Sequence, residues 1–166
     1  MSNNADQSII VLRAISGAGK TTFAHKLVQS RRHELVSGQW IHGGYVIVGA
    51  DDLFTDEETG EYRFDPAKIG AAHGYCFQRA IEAVRRGFTV IVDNTNTTVA
   101  EIAPYMLLAQ AYGIPARVIT LRCDVETAHG RAKHGASREA IKQMHADLEA
   151  AVLPSWWAHE ALDNRD

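Results

Sequence analysis

The stretch SIIVLRAISGAGKTTF, residues 8–23, predicts how this chain folds. It begins with a short apolar, β-branched run that is typical of a buried strand, and from Thr21 it continues with apolar residues at helical spacing. Between them lies AISGAGKT, which fits the phosphate-binding pattern GxxxxGK[ST] except that Ala14 replaces the first glycine. A strand, a glycine-rich loop and a helix in this order are the context that the pattern requires. The stretch therefore predicts a nucleotide-binding α/β domain.

The residue types of this loop suit a bound phosphate. Gly17 and Gly19 allow the backbone to curl so that successive N–H groups face an anion, and the helix N-terminus adds partial positive charge. We expect Lys20 to contact the β- and γ-phosphates of ATP, and Thr21 to bind Mg²⁺. A dinucleotide-binding loop is excluded because Thr22 occupies the place of the third glycine in GxGxxG. The predicted nucleotide-binding residues are Ser16, Gly17, Ala18, Gly19, Lys20, Thr21 and Thr22.

Strand and helix patterns alternate along the rest of the chain. Further strands are predicted at 45–48, 88–92 and 116–121, and further helices at 66–87, 99–112, 124–133 and 138–152. This alternation predicts βαβ units, and hence a parallel sheet of about four to five strands with helices on both faces. We predict a single domain over residues 1–166, with a core at about 8–153 and a small helical lid at about 124–138. Trp156 and Trp157 are expected to pack the C-terminal segment against the domain.

Composition limits the classes of function. The formal net charge of −3 gives no global attraction to nucleic acid or to an anionic membrane, so a nucleic-acid contact has to come from a local patch. No apolar run approaches the ~20 residues of a membrane span, and Met1 to Gln7 lacks a signal-peptide pattern. Cys76 and Cys123 are far apart, which indicates small core residues. These features favour a cytoplasmic protein without membrane contact, and no obligate protein partner is evident.

The predicted strands end in polar or glycine residues, and ligands of parallel sheets bind beyond these carboxyl ends. The second strand is followed by GADDLF and the third by DNTNTT. A carboxylate beside the phosphate loop is placed to take a proton from an acceptor hydroxyl. Asp51 and Asp52 cannot point the same way from extended backbone, so one should be catalytic and the other structural. Asp93 is either a Mg²⁺ partner or an acceptor ligand, and Asn94 and Asn96 could bind acceptor oxygens.

Phosphoryl transfer is the favoured use of a bound ATP. A motor would follow Asp93 with a glutamate, but the next residue is Asn94, and the NKxD segment of a GTP switch is absent from the sequence. A kinase needs a base, positive charge for the transferring phosphoryl group and a closing lid. Arg131, in the segment RAKHG, is predicted to supply this charge; a surface helix arginine is the alternative. A nucleotide-binding module without an acceptor is the alternative function of another class.

The segments GAGKT, ADDLF, EYRFDPAKIGAAH, DNTNT and RAKHGASREAI together resemble the polynucleotide-kinase-like P-loop kinases, over roughly residues 9–153. The most specific parts are DDxF…FDPxKxxxAH and DNTN. The resemblance implies that Asp51 is the general base, that Asp93 is the acceptor-side aspartate and that the lid arginine lies at or near Arg131. It also implies ATP with Mg²⁺, and a nucleic-acid hydroxyl as acceptor, most often the 5′-hydroxyl of DNA or RNA. The alternative acceptor is a hydroxymethylated base in DNA or a nucleoside-like small molecule.

The acceptor side departs from the family pattern at one position. Some polynucleotide kinases carry an arginine three residues after the catalytic aspartate to hold the acceptor's phosphate, and here that residue is Phe54. Phe54, Tyr62 and Phe64 could stack on a base or sugar, or they could anchor their loop to the core. His73 matches the AH position of the motif and either lines the acceptor pocket or is a core histidine. Arg79 is predicted to meet an acceptor phosphate.

Overall fold

A parallel sheet forms the centre of the molecule. The computed structural model describes residues 7–31, 44–56, 58–133 and 135–163. Outside these ranges lie residues 1–6, most of the N-terminal stretch that was searched for a signal peptide, and residue 134 of the predicted lid. The strands are β1 (Ile9–Arg13), β2 (Tyr45–Val48), β3 (Thr89–Asp93), β4 (Ala116–Arg122) and β5 (Ala158–Asp163). Their order is β2-β3-β1-β4-β5, and every pairing is parallel. The predicted α/β fold with a parallel sheet is confirmed.

Helices cover both faces of this sheet. They are α1 (Lys20–Arg31), α2 (Ile69–Arg85), α3 (Val99–Tyr112), α4 (Val125–Arg131) and α5 (Arg138–Ala150). Successive residues of a strand point to opposite faces, so that Ile9 and Val11 of β1 pack with α2 and α3. Ile10 and Leu12 instead pack with α1, α4 and α5. Of the helices that the structure describes, none is long and apolar enough to cross a membrane.

Side-chain caps fix where several of these helices begin. Thr98 and Glu101 form a reciprocal capping box at the start of α3, while Asp124 caps α4 and Ser137 caps α5. Gly113, with a φ of 64°, ends α3 in the left-handed conformation. The predicted bounds of the helix at 99–112 are confirmed because both of its ends carry these local signals.

Other boundaries differ from the prediction. The helix predicted at 66–87 divides into a 3-10 turn at Pro66–Lys68, which the side chain of Asp65 caps, and α2 from Ile69. β3 and β4 each end one residue later than predicted. The sequence pattern does not locate β5, because all its residues are exposed and no apolar run marks it.

The two tryptophans before β5 lie in different environments. A turn, closed by the bond from Trp157 N to Pro154 O at 3.0 Å, separates α5 from β5. Trp157 packs against the core cluster on the face of the sheet that α2 and α3 cover, as expected. Trp156 is 81% exposed. The prediction that both rings pack on the domain is therefore wrong for Trp156, because the turn directs adjacent side chains to different sides.

Candidate functional site

The phosphate loop connects β1 to α1 at the carboxyl edge of the sheet. Gly17 and Gly19 have φ angles of 82° and 88°, in the left-handed region that favours glycine. A Cβ added at Gly17 would lie 2.0 Å from the carbonyl oxygen of Ala128 in α4. The loop therefore requires glycine at this position both for its backbone conformation and for its contact with the predicted lid.

The remaining predicted loop residues surround this turn. Ala18 is buried, Ser16 is half-buried, and Thr22 is exposed in the first turn of α1. The backbone N–H of Ala14 donates to the carbonyl of Thr95 at 3.0 Å. This bond joins the phosphate loop directly to the segment that follows β3.

Lys20 lies in the loop with its ammonium group bonded to main-chain oxygens. Its Nζ donates to the carbonyls of Ala14 at 3.3 Å and Ile15 at 3.0 Å. Burial lowers the pKa of Lys20, and the charges of Asp93 and Asp51 oppose this shift. Because neutral carbonyls do not compensate a buried positive charge, an anion bound at the loop would be stabilised here.

Thr21 and Asp93 form a hydroxyl–carboxylate pair beside the loop. Thr21 Oγ1 donates to Asp93 Oδ2 at 2.6 Å, because the β1–β3 register places Asp93 next to Leu12, just before the loop. Burial raises the pKa of Asp93, the bond from Thr21 and the charge of Lys20 lower it, and the neighbouring carboxylates of Asp51 and Asp52 add to the rise.

These oxygens fit the predicted Mg²⁺ partners in their chemistry. Mg²⁺ prefers oxygen ligands and is commonly held by one or two protein side chains together with substrate phosphates. Among the described residues, no group of three or more His, Cys, Asp or Glu side chains could hold a metal by itself. A Mg²⁺ ion at Thr21 and Asp93 would accordingly depend on nucleotide oxygens for its other ligands.

The two aspartates that follow β2 have different partners. They lie in a 3-10 turn, Ala50–Phe54. Asp52 Oδ2 accepts from the N–H of Gly49 at 3.0 Å and is ion-paired with Arg79 of α2. Asp51 is exposed, and its Oδ1 accepts from the hydroxyl of Tyr62 at 3.1 Å. Asp52 thus closes the turn, whereas Asp51 has its second carboxylate oxygen without a hydrogen-bond partner among the described residues.

The two asparagines of DNTNTT bond within the protein. Asn96 is fully buried with a φ of 47°, and its Nδ2 donates to Leu12 O at 2.7 Å. Asn94 is also buried, and its Oδ1 accepts from Ala50 N at 2.8 Å. The prediction that these amides bind acceptor oxygens is therefore corrected, because they connect neighbouring strand tips from the inside. The side chain of Asp93, by contrast, bonds to the side chain of Thr21 at the phosphate loop.

The aromatic residues after β2 form a cluster. Phe54 is 7% exposed and packs edge-on against Tyr62 at 6.3 Å and Phe64 at 5.2 Å between ring centroids. Of the two alternatives for Phe54, anchoring of the loop is therefore correct, and its predicted contact with the acceptor is wrong. Phe64 is 53% exposed and keeps a ring face in solvent.

His73 and Arg79 both lie in α2, and Arg79 extends to Asp52. His73 is half-buried. Arg79 lies over the ring of Tyr75, with its guanidinium carbon 5.8 Å from the ring centroid, and also pairs with Asp52. Arg79, the residue predicted to meet an acceptor phosphate, is therefore held beside Asp52 and Tyr75.

The predicted lid, at about 124–138, contains α4 and reaches the first residue of α5. An ion pair between Glu126 and Arg138 joins the two helices. Arg131 is exposed at the end of α4. Burial raises the pKa of the Cys123 thiol, Asp124 adds to the shift, and the charge of Arg131 opposes it. Arg131 therefore acts electrostatically at the carboxyl end of β4, which borders the phosphate loop.

A cleft of about 500 Å³ lies between the loop and these helices. Its lining includes Ile15 of the phosphate loop, residues at the ends of β4 and β5, and the facing sides of α4 and α5. Representative lining residues are Ile15, Cys123, Thr127, His145 and Asp163. The cleft thus adjoins the phosphate loop at Ile15.

Sequence reasoning missed two sets of contacts that shape the site: the bond from Tyr62 to Asp51 and the bonds of the buried Arg13. Arg13 is buried at the end of β1, and its Nη2 donates to the carbonyls of Thr97 at 3.3 Å and Leu148 at 2.5 Å. It joins the segment after β3 to the C-terminal end of α5, where a cation is favourable. An arginine within the apolar run IIVLRAI is a signal that could have indicated a buried, bonded charge.

A family model described as an AAA domain matches residues 9–156. The chain belongs to this AAA domain family. The resemblance to polynucleotide-kinase-like P-loop kinases that the motifs indicated is confirmed by the relatives of this AAA domain.

Two curated relatives are much longer than the AAA domain. NEDD4-binding protein 2 of Homo sapiens is 32% identical over 144 residues, which cover 82% of this chain and 7% of that protein. The bifunctional polynucleotide phosphatase/kinase of Schizosaccharomyces pombe is 28% identical over 122 residues, which cover 74% of this chain and 23% of that protein. The chain thus spans under a quarter of the length of either relative.

Solved structures share the fold of the AAA domain. A chain of the Pnkp1/Rnl/Hen1 RNA repair complex superposes with a TM-score of 0.65 at 18% identity, covering 86% of this chain and 44% of that one. A gluconokinase from Sinorhizobium meliloti superposes with a TM-score of 0.59 at 15% identity, covering 97% of this chain and 84% of that one. The fold therefore occurs both in an RNA repair complex and in a small-molecule kinase.

Proposed function

We propose that this AAA domain is an ATP-dependent kinase that transfers the γ-phosphoryl group to a polynucleotide 5′-hydroxyl. The observation that carries the proposal is the exposed carboxylate of Asp51 beside the phosphate loop. Its charge acts on Lys20 and on Asp93, so the groups for nucleotide binding and for proton removal share one site. A nucleotide-binding module without an acceptor would have no use for this exposed carboxylate.

The phosphate loop and its neighbours bind the nucleotide in this proposal. Backbone N–H groups around Gly17 and Gly19 and the ammonium of Lys20 face the phosphates. Thr21 and Asp93 would hold Mg²⁺, which when bound offsets negative charge on the phosphates. Arg131 adds positive charge from α4, on the lid side of the loop.

Asp51 is the general base of the proposed reaction. It takes the proton of the acceptor hydroxyl as that oxygen bonds to the γ-phosphorus, while the bond from the γ-phosphorus to the bridging oxygen breaks and ADP leaves. The exposed position of Asp51 gives an acceptor access to it, and the separate bonding of Asp52 leaves that aspartate in a supporting role.

The acceptor lies on the side of α2 and the aromatic cluster in this proposal. Arg79 offers a positive charge for an acceptor phosphate, and the exposed ring of Phe64 offers a stacking surface for a base. His73, on the same helix, is the third residue proposed for this side. These contacts replace the arginine that some polynucleotide kinases carry where this chain has Phe54.

A second candidate acceptor is a hydroxymethylated base or a nucleoside-like small molecule. The segment DDLFTDEETGEYRFD, residues 51–65, contains seven acidic residues and one arginine. This local negative charge disfavours the binding of a long polyanion and has less effect on the binding of a small neutral acceptor. The burial of Phe54 at the position of the phosphate-holding arginine favours the same candidate.

Phosphoryl transfer from γ-labelled ATP tests the proposal and separates the candidates. The acceptors are 5′-hydroxyl DNA, 5′-hydroxyl RNA, hydroxymethylated duplex DNA and free nucleosides. We expect label at the 5′ ends of oligonucleotides; label on internal bases or nucleosides would favour the second candidate. ATP binding without transfer to any acceptor would contradict the kinase proposal. The matched control is Lys20→Ala, which should abolish transfer because it removes the charge that serves the phosphates.

A further inference from the structure

We propose that Tyr62 is a positioning residue for Asp51, and that the hairpin carrying Tyr62 sets the orientation of the base. This inference rests on the proposed function, because it assumes that Asp51 takes the acceptor proton. The observation behind it is the hydrogen bond from the Tyr62 hydroxyl to Asp51 Oδ1, at 3.1 Å.

The hairpin has a conformation that its own bonds maintain. Thr55 and Tyr62 form an antiparallel bridge, and Asp56 N donates to Glu61 O at 2.9 Å. The Asp56 side chain accepts from the N–H of Thr59 at 2.7 Å, which lowers the pKa of this carboxyl. A polar side chain that bonds its own turn in this way fixes the turn locally. The position of Tyr62 therefore follows from the hairpin and does not require a bound acceptor.

The hairpin is also anchored to the core and reaches Asp51 from both of its ends. The ring of Tyr62 packs edge-on against the buried Phe54, at an interplanar angle of 76°. Arg63 N donates to Phe54 O at 2.8 Å. At the other end, Thr55 Oγ1 donates to the main-chain carbonyl of Asp51 at 3.0 Å. Both the backbone and the side chain of Asp51 are thus held by one small element.

The bond has a direct consequence for proton transfer. The terminal torsion of an aspartate is broad, so an exposed carboxylate without a partner rotates freely. With Oδ1 held by Tyr62, Oδ2 is the oxygen that an acceptor hydroxyl meets. A base whose orientation is fixed in this way increases the reaction rate because the reacting groups are already aligned. Burial, the charge of Asp51 and this hydrogen bond raise the pKa of Tyr62 to about 12, so that the phenol stays protonated as a donor at neutral pH.

The test is a double-mutant cycle with Tyr62→Phe and Asp51→Asn. Tyr62→Phe keeps the ring that packs on Phe54 and removes only the hydroxyl. We expect a kcat about 10- to 100-fold lower, the range of a hydrogen bond to a charged group, with the KM for ATP unchanged. Asp51→Asn should lower kcat by ~10²–10⁴. In the Asp51→Asn background Tyr62→Phe should have no further effect, because residues that act through one another are not additive.

Tyr112→Phe is the matched control. Tyr112 ends α3 at the edge of the sheet opposite the strand tips, and it is 46% exposed. Its loss of a hydroxyl should leave kcat unchanged. An unchanged KM for ATP in Tyr62→Phe shows that the phosphate loop keeps its fold.

The outcomes separate this inference from the proposed function. If Asp51→Asn retains full kcat, the assignment of the base fails, and the role of Tyr62 fails with it. If Asp51→Asn is slow but Tyr62→Phe is as fast as the unmodified protein, only the role of Tyr62 is overturned. Losses that multiply in the double variant would overturn it equally, since they would show that Tyr62 acts independently of Asp51.

Discussion

Asp93 combines a buried position with a negative charge beside the phosphate loop. Burial raises its pKa above the ordinary value of 3.8. A carboxyl group whose pKa is higher in the folded state than in the unfolded state stabilises the fold at low pH. This contribution is lost as the pH rises from the pKa of the unfolded state through the pKa of the folded state. At neutral pH Asp93 therefore contributes less to the stability of the domain than it does at low pH, and it lies at a position where a Mg²⁺ partner is proposed.

Replacement of Asp93 by asparagine should separate stability from activity. Asp93→Asn removes the buried charge but keeps an oxygen that can accept from Thr21 Oγ1. We expect a higher melting temperature than that of the unmodified protein at pH 7, together with a loss of Mg²⁺-dependent transfer. Near the ordinary value of 3.8 and below, where the carboxyl is protonated, the difference in melting temperature should disappear. A lower melting temperature at pH 7 would contradict the argument.

Phe54→Arg tests whether Phe54 anchors its loop to the core. Phe54 is buried between Tyr62 and Phe64, so a guanidinium there would lose both its solvation and the ring packing. We expect a loss of about 2–4 kcal/mol in the free energy of unfolding, measured by urea denaturation. The control is Phe64→Arg, whose exposed ring makes the same change tolerable, within about 0.5 kcal/mol. A stable Phe54→Arg variant that uses phosphate-flanked acceptors better would restore Phe54 as an acceptor contact.

At this scale the sequence predicted residue chemistry better than residue direction. Polar residues at a strand tip can face the ligand or the neighbouring loops, and periodicity no longer distinguishes the two once the strand has ended. Asn94 and Asn96 bond inward for this reason. Asp51 and Asp52 do have different partners. The reason is that both lie in a 3-10 turn, and not in the extended backbone that the prediction assumed. The bond between Tyr62 and Asp51 could not be predicted because it depends on the conformation of the hairpin.

At the scale of elements, the contact between the phosphate loop and α4 gives a sharp prediction. Gly17→Ala would place a methyl group against the carbonyl of Ala128, in addition to the strain of its positive φ. Because backbone and not a flexible side chain is in the way, α4 or the loop must move. We expect the variant to lose most of its ATP affinity, as measured by calorimetric titration.

Gly113→Ala is the matched control for this change. Gly113 also has a positive φ, of 64°, but nothing lies within 4 Å of an added Cβ. It should lower stability by about 1–2 kcal/mol through backbone strain, with ATP affinity unchanged. Equal effects of the two variants on ATP binding would show that the contact with α4 is unimportant.

The helices and strands that could be predicted carry their signals locally. The central strands are apolar and β-branched, and the start and end of α3 are encoded in Thr98 and Gly113. β5, with the sequence AHEALD, has no such signal: its residues are exposed, and its pairing with β4 alone defines it as a strand. Pairing across such a distance is not visible in the periodicity of the segment.

At the scale of the whole molecule, the C-terminal segment is held by one ring of the tryptophan pair. Trp157→Ala should lower the free energy of unfolding by about 1–3 kcal/mol because it removes packing against the core cluster that α2 and α3 cover. Trp156→Ala should change it by less than about 0.5 kcal/mol, since this side chain is exposed. Urea denaturation of both variants measures the difference; equal losses would show that Trp156 also packs.

The order β2-β3-β1-β4-β5 arranges the proposed site. β2 and β3 present Asp51 and Asp93 on one side of β1, whereas β4 leads into the lid on the other. The alternation of strands and helices predicted a parallel sheet, but it could not predict which strands are neighbours. The sequence therefore indicated that the polar strand tips share one edge, and the structure supplies their order along it.

Arg13 has a consequence for how the domain assembles during synthesis. Its guanidinium bonds to carbonyls 84 and 135 positions further along the chain. The contacts of β1 are therefore incomplete until α5 has been synthesised. Contacts of such sequence separation form slowly, and a buried charge without its partners is unfavourable. Translation halted before α5 should accordingly yield a chain that proteases degrade readily and that does not retain nucleotide, even though the entire phosphate loop has already been made.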